Sequence, residues 1–157
     1  MTDHPIRFFT DDAAVRRVGE SFLACTLAKS EWTHEAHLAT CLWLITERPD
    51  IAVERDLSGL IRRYNESAGG VNDDTQGYHE TITQVSIATV RDHLAEAEDL
   101  SLVARVNALL GSARGRRDWP LHFYSRVRLF SVAARRAWIA PDLAPIAAWS
   151  RYSERAL

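Results

Sequence analysis

The chain predicts an all-α fold, a single-domain helical bundle of about five main helices followed by short C-terminal ones. Three observations carry that expectation. Apolar residues recur at helical spacing through five successive stretches, and no run alternates with a strand period for long enough to make a strand. The breaks between stretches are built from capping and turn residues. At 157 residues the length suits one domain, 1–157, able to bury a core without disulfide or metal staples. A composition 46% hydrophobic and 25% charged argues against wholesale disorder.

Residues 1–10 read as an N-terminal arm. Thr10, Asp11 and Asp12 then offer a cap and an acidic first turn, and Val15, Val18, Phe22 and Cys25 follow at helical spacing, which predicts a helix over 11–28. Ser30 or Thr33 caps a second helix through Leu38, Cys41, Leu42, Leu44 and Ile45, closing before Pro49. This segment is apolar nearly all round, which places it in the middle of the domain. Asp50 caps the third, whose stripe of Val53, Leu57, Leu60, Ile61 and Tyr64 runs to about residue 68, where Gly69-Gly70 and the turn residues of 71–77 break it. A fourth helix starts near Tyr78 and carries Ile82, Val85, Val90 and Leu94 to about residue 97. A fifth spans about 100–110. Beyond a basic loop at 111–120, Ser125 and Ser131 are caps for short helices, the second running from Val132 to Ile139 and stopping before Pro141. Residues 143–157 form a C-terminal tail with no clear pattern.

The net charge of −2 gives no global reason to expect nucleic acid or an anionic membrane as partner. No apolar run reaches the roughly 18 residues of a membrane span, and the N-terminus lacks the apolar core of a signal peptide. Cys25 and Cys41 both fall in apolar helical patterns, as free thiols do, so a reduced, cytoplasmic protein is expected. The arginines of 112–136 make that segment locally basic, and an ion-paired, solvated face explains them better than a nucleic-acid interface. Five tryptophans leave room for a homodimer surface, although core packing accounts for them equally well.

Polar chemistry concentrates in two places. Trp32-Thr33-His34-Glu35-Ala36-His37-Leu38 puts two imidazoles three residues apart, on one face at the start of a helix. Gly77-Tyr78-His79-Glu80-Thr81-Ile82-Thr83 opens the fourth helix in the same manner. These two stretches, with Tyr124-Ser125-x-x-Arg128-Leu129-x-Ser131-x-x-Ala134-Arg135 and Pro141-Asp142-Leu143, resemble a family of small uncharacterised bacterial proteins. The resemblance covers most of the chain from the second helix onward. It implies one intact domain and brings no activity, cofactor or substrate with it.

If the two stretches meet, His34, His37 and His79 are candidate ligands of a divalent transition metal such as Zn, Fe or Mn. Glu80 would orient a ligand or act as base. Tyr78, Tyr124 and Arg128 would line the pocket, the last two if the C-terminal segment closes over it. A small metal-dependent enzyme is the first functional expectation. Two features pull against a cation: HxxH lacks the specificity of HExxH, and helix N-termini favour negative charge. The alternative is a binding module for a small anionic ligand or protein partner, with an arginine as bidentate contact and the histidines structural.

Overall fold

The structure, a computed structural model, describes residues 4–96 and 100–146. It is all-helical: α1 (Asp12–Leu23), α2 (His34–Glu47), α3 (Val53–Ser67), α4 (Glu80–Glu96), α5 (Leu102–Leu110), and the short α6 (Arg126–Leu129) and α7 (Val132–Arg136). Single 3-10 turns at Lys29–Glu31, Ala113–Gly115 and Trp119–His122 join them, and no strand occurs among the described residues. None of these helices is long and apolar enough to cross a membrane.

Local sequence accounts for most helix starts. The side chains of Asp11, Thr33, Ser101, Ser125 and Ser131 each accept a hydrogen bond from the backbone N–H three residues on, satisfying a donor the helix leaves open. Three expectations need correction. The last short helix ends at Arg136 rather than Ile139, because Ala137 takes extended backbone. The first helix ends at Leu23 rather than 28, because Cys25 takes a left-handed φ of 58° and reverses the chain. Asp50 does not cap the third helix: it pairs with Arg48, while Ala52 occupies the cap position and its N–H donates to Asp56.

Helix α2 packs against α1, α3, α4 and α5, and eight of its 14 residues are buried. That follows from its apolar circumference, which only a central position can cover. Its contact with α1 is close because Gly19 has no side chain; a methyl group there would overlap the Trp43 ring. The main core gathers Val15, Phe22, Leu42, Leu44, Tyr64, Val90, Val106 and Leu109. A second core, around Val85, Ala88, Tyr124, Leu129 and Ile146, lies where the C-terminal segment folds back onto α4. The predicted tail falls mostly outside the described residues, at 147–157.

Candidate functional site: a cavity between the starts of α2 and α4

The two polar stretches do meet. A cavity of about 540 Å³ lies between the starts of α2 and α4, the end of α3 and the loops at 69–77 and 114–120. That volume falls within the range usual for small-molecule sites, roughly 300–1,000 Å³. His34, His37 and His79 all line it. Its buried wall includes Thr40, Cys41, Leu57, Tyr64 and Val85; exposed Lys29, Gln76, Arg116 and Arg117 stand at its rim.

The three imidazoles differ in what they are free to do. His79 is buried, and both its ring nitrogens are used: Nε2 donates to the Leu129 carbonyl at 2.8 Å, and Nδ1 accepts from the Ile82 N–H at 3.1 Å. Burial holds its pKa below the ordinary value, as the neutral tautomer of this bonding pattern requires. His34 is half-buried and its Nε2 donates to the Gly115 carbonyl at 2.8 Å, tying α2 to the basic loop. Its Nδ1 has no hydrogen bond among the described residues. His37 has none on either nitrogen; its ring stands edge-on to Trp32, centroids 3.9 Å apart. The residue is exposed and is one of those that line the cavity. Desolvation, reinforced by neighbouring His34 and Arg117, lowers its pKa to about 3, so it is neutral at physiological pH.

The other expected site residues are placed differently. Tyr78 lines the cavity with its ring, while its hydroxyl is held by Glu80 in a very short hydrogen bond. Burial first, then that carboxylate, raises the Tyr78 pKa. Glu80 is engaged by Tyr78 and by Gln84 at 3.0 Å, and it does not line the cavity. Tyr124 and Arg128 do not line it either. Tyr124 is buried in the second core with its hydroxyl on the Ile139 carbonyl at 2.6 Å, and Arg128 donates to the Ala140 carbonyl at 2.6 Å. The C-terminal segment closes on α4 instead, and reaches the cavity lining through the Leu129 carbonyl on His79 and through Arg135, which donates to the Gly77 and Tyr78 carbonyls.

A metal would draw on His34 and His37, because His79 has no free nitrogen. The nearby carboxylates are engaged or turned away: Asp74 pairs with Arg136, and Glu35 lies along a separate groove with Arg7 and Arg17. Among the described residues, no group of three or more His, Cys, Asp or Glu side chains is arranged to hold a metal ion. Cys41 is a buried thiol whose pKa burial pushes up to about 12, so it serves as apolar wall. Two lining residues each hold a polar atom away from the open space, the Trp32 indole N–H and the Thr40 hydroxyl, both buried without a hydrogen-bond partner among the described residues.

Sequence reasoning did not bring Lys29, Thr40, Arg116, Arg117 and Trp119 to this site. The contact that delivers the loop residues, His34 to Gly115, spans 81 positions and has no local signature. His93 is buried and donates to the Arg105 carbonyl at 2.8 Å. Comparison of the chain with protein-family models, curated proteins and solved structures gives no match.

Proposed function

We propose that the cavity binds a small organic molecule and that the His37 imidazole is the polar group that meets it. One observation carries this reading: an imidazole with no hydrogen bond on either nitrogen among the described residues lines a cavity of ligand size. Histidine is amphipathic and well served by backbone carbonyls, as His34, His79 and His93 illustrate. A ring left unserved beside a cavity of ligand size is available to a bound molecule. A neutral imidazole there can donate one hydrogen bond and accept another, and can pass a proton between two groups of a bound molecule.

A fragment titration followed by NMR tests this. Compounds that bind should shift the His37 and Trp32 ring resonances and leave the exposed His122 unmoved, and His37→Phe should abolish the response. Fragments that perturb only surface positions, or none that bind at all, would overturn the reading.

The metal-dependent enzyme is a second reading, supported by one feature: His34 and His37, which line the same cavity, both keep a ring nitrogen without a hydrogen bond among the described residues. Elemental analysis of protein purified without a metal column separates the two. A stoichiometric transition metal, lost in both His34→Ala and His37→Ala, would put that reading first.

A further inference from the structure

Resting on the cavity as a binding site, we infer the class of its occupant: a flat, largely apolar molecule carrying one anionic group, its body between the aromatic walls and its charge at Lys29 and Arg117.

The sign of the charge comes from the lining. The chain has 21 acidic residues against 19 basic ones, yet the cavity is lined by four basic side chains and by no aspartate or glutamate. Two of the four are already neutralised. Arg114 pairs with Glu96 at 2.9 Å and Arg116 with Asp118 at 3.2 Å. Lys29 and Arg117 have no carboxylate partner among the described residues, and both are exposed at the rim. Arg117 lies close enough to His37 to act on it electrostatically. A cationic occupant would meet these groups with nothing to offset them, whereas an anion meets a guanidinium able to grip it with two parallel N–H donors.

The shape and polarity of the body come from the walls. Trp32, Tyr64, Tyr78 and Trp119 present aromatic rings, and Ile61 and Ile82 supply aliphatic surface. The two tyrosine hydroxyls are not offered to the cavity, since Tyr64 donates to the Leu27 carbonyl at 2.9 Å and Tyr78 to Glu80.

A matched pair of dyes tests this on the intact protein: 8-anilinonaphthalene-1-sulfonate, and N-phenyl-1-naphthylamine, which is the same aromatic body without the sulfonate. Affinity and stoichiometry are read by fluorescence and calorimetry. The sulfonate should bind one per chain and about tenfold or more tighter than the neutral dye. Its advantage should vanish in the Lys29→Gln/Arg117→Gln variant and narrow with added salt, and Ile82→Trp and Ala68→Trp, which fill the cavity, should lose both dyes. Circular dichroism identifies any variant that has not folded, and two filling positions keep the assignment testable if one fails. If both dyes bind equally and are lost on filling, the anionic class is overturned while the cavity reading survives. A sulfonate preference that persists without Lys29 and Arg117 overturns the placement of the charge. If neither dye binds, or both bind the filled variants unchanged, the inference and the cavity reading fall together.

Discussion

His37 and His79 line the same cavity, and desolvation lowers the pKa of both, but the consequences differ. His79 is a structural strut whose two hydrogen bonds join the start of α4 to the Leu129 carbonyl. His37 has no such bonds, and no hydrogen bond to the protein offsets what desolvation costs it on protonation. Both folded pKa values lie below the ordinary 6.5 that the unfolded chain shows. The unfolded state therefore binds more protons once the pH drops below about 6.5, and stability, full above that pH, declines toward the folded-state values. Thermal melts between about pH 5 and 6.5, where surface carboxylates stay ionised, should show the melting temperature falling with pH. His37→Leu should flatten that slope. An unchanged slope would mean that the His37 ring protonates in the folded protein as freely as in the unfolded one.

At the scale of elements, the contact between α1 and α2 turns on one missing side chain. Replacing glycine by alanine inside a helix ordinarily stabilises by roughly 0.5–1 kcal/mol. At Gly19 the added methyl would overlap the buried Trp43 ring, and overpacking of that kind costs about 1–3 kcal/mol. The second effect should win, so Gly19→Ala is expected to lower stability in urea denaturation, by about 1–2 kcal/mol. A stabilised variant would show that the two helices can draw apart. The helices themselves were largely legible in the sequence, because Thr33, Ser125 and Ser131 announce their own starts and an apolar circumference announces a central helix. Their ends were less so: nothing marks Cys25 as a residue that will turn left-handed, since glycine and asparagine are the usual signs. The pairing of His34 with His37 follows from helical spacing, and the meeting with His79 was a question the sequence could pose. The cationic rim was not legible, since it depends on where the loop at 114–120 lands.

Across the whole molecule, α4 belongs to two cores. Ile87 and Val90 pack into the main one, Val85 and Ala88 into the second, which the C-terminal segment covers with two helices of four and five residues. Helices that short are held by tertiary contacts alone. Hydrogen exchange should therefore find the amides of 126–136 opening at a lower free energy than those of α2, whose Leu42 and Leu44 lie at the centre. Equal protection in both would make the two cores one cooperative unit. The placement of Trp32 has a further consequence of another kind. It stacks on Phe22 at 4.5 Å, meets His37 edge-on and borders the cavity, with Trp119 on the loop side of the same space. Indole emission responds to the polarity of its surroundings and is quenched by a protonated imidazole. The protein thus carries its own optical gauge, in which the filling of the cavity and the charge on its central ring are both written into ultraviolet emission without any added label.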